Sequence, residues 1–272
     1  MIGRLGSKPI FYTAIGKDND GEGLLSRLEK ESGVVTTTSS VYVAENKNTA
    51  MYLALLDGNS DLVGGVADMA ALSKIPIPSV EELVGVEFLV LDANATPGAL
   101  LEAAKNGIEA GCRVCLDPTS VPKSRLISSK EFLQSLHFIF PNKDELLAMA
   151  EELGGGYLEL AGSEHNLHAA ASFLLSRMAS DAHIVITLGT SGVLLASKVA
   201  DAPEFVHFPA ESVPEIKSCN GAGDTLCGAF VHALLQGAKV DEAVRFGMKA
   251  ASLSLDCAER AISPAVSTLR FA

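Results

Sequence analysis

The stretch SCNGAGDTLCGAF, Ser218 to Phe230, sets three small residues and an aspartate directly against an apolar run. Leu226, Phe230, Ala233 and Leu234 recur at helical spacing, so Gly221, Ala222 and Gly223 form the turn into a helix whose first amides have no intrahelical partner. Small side chains let an anion come close to those amides, and the helix dipole favours negative charge there. The turn therefore reads as a phosphate seat. Asp224 brings a fixed negative charge into the same turn, and a site that merely held phosphate would gain nothing from that repulsion. A carboxylate beside an anion hole suits removal of a proton from a hydroxyl that attacks phosphorus. The plainer reading, an acidic first-turn residue favourable to the dipole, stands beside it.

Working outward, short apolar runs end in Gly, Asp, Asn or Pro at 9–16, 87–94, 113–118, 137–142 and 183–189. Each reads as a buried strand with a polar C-terminal end. Helical patterns lie between them at 21–32, 96–111, 142–154 and 166–179, and two more close the chain at 222–236 and 241–257. This alternation predicts an α/β fold, a doubly wound, mostly parallel three-layer sandwich. Residues 34–66 break the rhythm: Thr, Val and Tyr alternate around the turn residues ENKN and DGNS, which predicts two or three antiparallel strands. They read as a lid or as a plain edge hairpin. The expected organisation is a main domain at 1–33 and 67–272 with a β lid at 34–66. A further antiparallel meander is expected over 189–210.

In open parallel sheets ligands bind beyond the carboxyl ends of the strands, where Asp92, Asn94, Asp117, Asn142 and Gly189 should gather. The 272 residues carry a net charge of −12, which leaves no positive excess for a polyanionic backbone or an anionic membrane. No apolar run is long enough to span a bilayer, and MIGRLGSKPI lacks a signal-peptide core, so a cytoplasmic protein is expected. The five cysteines are an odd number; Cys112 and Cys115 form a CxxC, but in a strand those positions point to opposite faces, which favours buried thiols over a metal site. His165 and His168 have no carboxylate-rich partner segment.

NGAGDTLCGAF resembles the C-terminal signature of the PfkB (ribokinase-like) sugar and nucleoside kinases. FPNKDEL is similar to that family's NxxE element, VITLGTSGVLL to its nucleotide-binding strand and turn, and IFYTAIGKDNDGEGLLSRLEKESGV to the segment after its first conserved region. The order is kept across nearly the whole chain. Within the family, NTAMYLALLDGNSDLVGGVADM, LDANATPGAL and DPTSVPKS are most similar to pseudouridine kinases.

The resemblance implies Asp224 as catalytic base and the amides of Gly221, Ala222 and Gly223 as an anion hole. It implies Asn142 and Glu145 near Mg2+ and phosphate, largely through water, and Thr187, Gly189 and Gly192 at the nucleotide. Asn142 and Glu145 equally fit a helix cap and its capping-box partner. Thr49, Asn94, Asp117 and Lys123 are the candidate contacts to the acceptor. ATP and Mg2+ are the implied cofactors, with K+ as an optional third; a small nucleoside or sugar is the partner, and a homodimer through the lid or edge strands is a further expectation. Two departures stand out. Asn220 occupies a position where Thr is usual, and the chain opens at MIGRLG, where the family's first helix ends, so the first strand, part of the lid and the GGxxxN element are expected to be missing. Two functions follow: a kinase that moves the ATP γ-phosphate to a primary hydroxyl, with pseudouridine as the leading acceptor, or a weakly active or non-catalytic nucleotide-binding protein.

Overall fold

The computed structural model describes residues 1–56, 62–155, 163–199, 202–211, 213, 216–257 and 261–271. Four short strands come first: β1 (Thr13–Gly16), β2 (Val41–Ala44), β3 (Met51–Leu56) and β4 (Leu62–Asp68). Six more form the central sheet: β5 (Phe88–Asp92), β6 (Arg113–Asp117), β7 (Phe138–Ile139), β8 (His183–Thr187), β9 (Val193–Ser197) and β10 (Glu204–Phe208). Their spatial order follows the chain. β5 through β8 run parallel, and β9 and β10 turn back antiparallel, which is the meander expected after Gly189.

The inner strands of this sheet are buried on both faces, as their continuous apolar runs require, while the edge strands β5 and β10 are partly exposed. Val114 and Leu116 of β6, with Ile184 and Ile186 of β8, enter one core; Cys115 and Val185, between them in sequence, enter the other. The first core is closed by the crossover helices α2 (Pro97–Glu109), α3 (Val121–Ile127), α4 (Lys130–Gln134), α5 (Lys143–Glu152) and α6 (Ser163–Leu175). On the other face lie α7 (Ala222–Leu235) and α8 (Val240–Leu255), with Leu5 and Val266 from the two ends of the chain. Short α3 and α4 were not legible as periodic runs, because neither is long enough to show a full amphipathic pattern.

The front of the chain differs from expectation. β1 is separate from the six-stranded sheet among the described residues and pairs with β2, in parallel, around the crossover helix α1 (Asn19–Ser32). The Thr, Val and Tyr alternation was expected to give antiparallel strands throughout 34–66. Period-two alternation fixes which face a residue takes but carries no direction, and the 14 residues of α1 supply the crossover that a parallel pair needs. Of the strands in this front segment, β3 and β4 form an antiparallel hairpin, with a register shift between Leu55 and Leu56. The DGNS turn at 57–60 falls outside the described residues. No helix among the described residues is long and apolar enough to cross a membrane.

Candidate active site

Helix α7 is aimed by its aromatic anchor. Phe230 is fully buried and meets Phe138 and Phe140 edge-on, at centroid distances of 5.3 and 5.2 Å. Such a packed aromatic contact fixes both the height and the rotation of the helix on the sheet. At its start, Gly221 is the N-cap with φ 77°, and a Cβ there would lie 2.5 Å from the Ala261 carbonyl oxygen. Buried Thr225 donates to the Gly221 carbonyl at 2.7 Å and meets the Ser254 hydroxyl of α8 at 3.1 Å, which ties the turn down. Gly223 is different: a Cβ there would meet nothing within 4 Å. The side of the turn at Gly223 is open, while the Ala222 amide donates to the Cys219 carbonyl at 3.4 Å.

Asp224 stands on that first turn. Partial burial pushes its carboxyl above the ordinary carboxylate range, and the charge of Asp92 adds to this. Asp92 and Asp117 are cross-strand partners at the ends of β5 and β6. Burial raises the Asp117 carboxyl to about 7; the Thr119 amide opposes this, and the charges of Asp224, Glu145 and Asp92 reinforce it. Three carboxylates from β5, β6 and α7 thus share one field at the carboxyl edge of the sheet. Burial first, and like charges after it, keep such a carboxylate basic enough to accept a proton. Asp92 was placed at this edge by its position at the end of an apolar run, with no role assigned; the structure gives it a direct influence on Asp224.

Asn142 accepts from the Glu145 amide at 2.9 Å, and the Asn142 amide donates to Glu145 Oε2 at 2.8 Å, a complete capping box for α5. The capping reading is therefore satisfied; it leaves the side-chain Nδ2 of Asn142 and Glu145 Oε1 outside the box. Glu145 is 6% exposed and burial lifts its carboxyl above the usual range. Thr187 is bridged to Asn142, its amide donating to the Pro141 carbonyl at 2.9 Å. Gly189 has φ 59° with open space where a Cβ would stand. Gly192, φ 94°, would put a Cβ 2.1 Å from the Phe208 carbonyl oxygen, so the meander's close backbone contact already accounts for this glycine.

Lys123 reaches the Asn94 side-chain oxygen and joins two of the acceptor candidates into one pair. Thr49 stands apart from them on the β1 side. Its hydroxyl donates to Asp18 Oδ1 at 2.6 Å and accepts from the Gly16 amide at 2.9 Å, and its own amide donates to Asp18 Oδ2 at 2.7 Å. Asp18 also caps α1 through the Gly21 amide, and these bonds hold its carboxyl below the usual range. Asp18 went unnoticed in the sequence, although an Asp three residues before the first helical turn closes is a cap signal. Among the described residues no group of three His, Cys, Asp or Glu converges as a metal cage. Cys112, Cys115 and Cys227 are buried free thiols.

The chain as a whole is similar to known proteins. Ribokinase from Haemophilus influenzae is 29% identical over 253 residues, covering 93% of this chain and 76% of that protein. Pseudouridine kinase from Arabidopsis thaliana is 24% identical over 308 residues, covering 94% of this chain and 79% of that one. Arabidopsis thaliana ribokinase, solved with ribose and ATP, shares the fold with a TM-score of 0.77 at 20% identity, over 95% of this chain and 79% of that chain. The model described as pfkB family carbohydrate kinase matches residues 1–265, so the chain belongs to that family and is a sugar or nucleoside kinase, a phosphotransferase on the ribokinase-like fold.

Proposed function

We propose that the chain moves the γ-phosphoryl group of ATP to a primary hydroxyl of a nucleoside or sugar, with pseudouridine as the leading acceptor, and that Asp224 is the base. The observation that carries this reading is the pairing of an open helix N-terminus over Gly223 with a carboxyl, one residue on, that its neighbours keep basic. The acceptor oxygen forms a bond to γ-phosphorus as the bond to the ADP oxygen breaks, and the hydroxyl proton passes to the Asp224 carboxylate. The amides of Gly221, Ala222 and Gly223 face the charge that shifts onto the leaving phosphate.

The nucleotide lies over Thr187 and Gly189, where the missing Cβ leaves room. Glu145, whose Oε1 is left outside the capping box, and Asn142 beside it would hold Mg2+ largely through water, a sparse set that suits an ion that keeps most of its waters. Mg2+ bound in this way neutralises phosphate charge. Asp117, and Lys123 paired with Asn94, contact the acceptor, and Thr49 shapes the far wall of its site through the bonds to Asp18 and Gly16.

Phosphorylation of pseudouridine, ribose and adenosine is compared at equal enzyme, with ATP binding followed by calorimetry. Asp224→Asn is expected to leave ATP affinity within a few-fold and to lower kcat by roughly 10² or more, the usual contribution of a general base. Retained turnover would remove Asp224 from the chemistry, and ATP binding with no turnover of any acceptor by the parent chain would favour a nucleotide-binding role.

A further inference from the structure

Thr119 has a φ of 68° and is the one residue other than glycine with positive φ among those described. A β-branched residue in the left-handed region is strained, and such strain persists only where surrounding contacts over-determine it. The contacts are present. The Thr119 amide donates to Asp117 Oδ1 at 2.8 Å, and its hydroxyl accepts from the Ala93 amide at 3.1 Å. The same hydroxyl lies 3.4 Å from the Asp117 carbonyl oxygen, to which Ala93 also donates at 3.1 Å. Ala93 follows Asp92, and Asp92 is the cross-strand partner of Asp117. One residue therefore grips the carboxylate of Asp117 with its backbone and the residue after Asp92 with its side chain.

The geometry points to Thr119 as a positioning residue: a strained latch that locks the ends of β5 and β6 together and so holds the Asp92 and Asp117 carboxylates in place against Asp224. Asp117 lies within reach of the charges of Asp92, Asp224 and Glu145, so a displacement of the end of β6 would be felt at the base. Thr119 itself is exposed; its strain is retained because it fixes Asp117 and the backbone beside Asp92. This inference rests on the reading of Asp224 as the base.

The test compares Thr119→Gly, Thr119→Ser and Asp224→Asn by thermal unfolding and steady-state kinetics. Glycine adopts the backbone angle without strain but lacks the hydroxyl; serine keeps the hydroxyl. Thr119→Gly is expected to unfold at the same temperature as the parent or higher, with KM for ATP within about two-fold and kcat reduced about ten-fold or more, because small misplacements of reacting groups cost large factors in rate. Thr119→Ser should keep kcat within about three-fold of the parent, the hydroxyl being the feature that positions. A residue that served stability alone would move unfolding and leave kcat of the folded enzyme unchanged. Parent-like kcat in Thr119→Gly, or equal loss in the serine and glycine variants, overturns the latch. If Asp224→Asn is inactive while Thr119→Gly is fully active, only the latch fails; if Asp224→Asn is active, the base assignment fails and the latch with it.

Discussion

Gly221 and Gly223 stand two residues apart on the same turn, and the structure predicts opposite outcomes when each becomes alanine. At Gly221 the backbone is left-handed, φ 77°, and the new methyl would sit 2.5 Å from the Ala261 carbonyl oxygen. The left-handed conformation costs an L-residue roughly 1–2 kcal/mol, and overpacking roughly 1–3 more. A loss of about 2–5 kcal/mol would lower Tm by about 5–15 °C in a chain of this size. At Gly223 the backbone is helical and no atom lies within 4 Å of the new methyl. Alanine there gains up to about 1 kcal/mol in helix stability, so Tm should hold or rise by up to about 3 °C. The methyl nevertheless intrudes where phosphate meets the amides. Losing about 0.7–2 kcal/mol of helix-terminus interaction would weaken ATP binding about 3- to 30-fold. Thermal unfolding without nucleotide, followed by calorimetric titration with ATP and Mg2+, separates the two effects, since bound ligand would itself raise Tm. If both variants lose stability alike, or if Gly223→Ala binds ATP as tightly as the parent, the placement of the anion over this turn is wrong.

Further outcomes can be stated for other positions. Glu145→Gln keeps the reach of the capping box and should leave Tm near the parent value, while turnover falls at limiting Mg2+; Asn142→Ala should lower stability by about 0.5–2 kcal/mol in chemical denaturation through loss of the cap. Gly192→Ala, with its Cβ 2.1 Å from the Phe208 carbonyl oxygen, should lower Tm well beyond Gly223→Ala, a difference that scanning calorimetry would show. Burial, with Arg113 nearby, depresses His183 from 6.5 to about 4. Below 6.5 the unfolded chain therefore binds a proton that the folded chain refuses, and stability should fall as pH drops from 6.5 towards about 4. His183→Gln should flatten that limb in unfolding curves taken across the range.

Where a signal was local, it could be read. The runs at β6 and β8 alternate between two buried faces and that at β5 lies half-buried at the sheet edge, so their uninterrupted apolar character was enough to place Asp92, Asp117 and Thr187 at one edge. The Asn142 and Glu145 spacing stated a capping box, and the structure contains one. What escaped depended on partners distant in sequence. The direction of β2 is set by its pairing with β1 around α1, and nothing in four residues encodes it. The grip of Thr49 on Asp18 spans 31 positions, and the pairing of Lys123 with Asn94 spans 29. Thr119 offered no warning, because threonine is among the residues least expected at positive φ.

The hairpin of β3 and β4 pairs only with itself among the described strands, and Met51, Leu53, Leu55, Val63 and Val66 are all more than half exposed. A two-stranded ribbon with so little apolar support is marginally stable in water. Its backbone amides should therefore open to solvent independently of the central sheet, and deuterium should label 51–55 and 62–68 long before it reaches β8. Any small molecule that settles against the ribbon would have to quench that opening, so part of its affinity would be consumed in ordering the strands and would be visible as slowed amide exchange there and not in the central sheet.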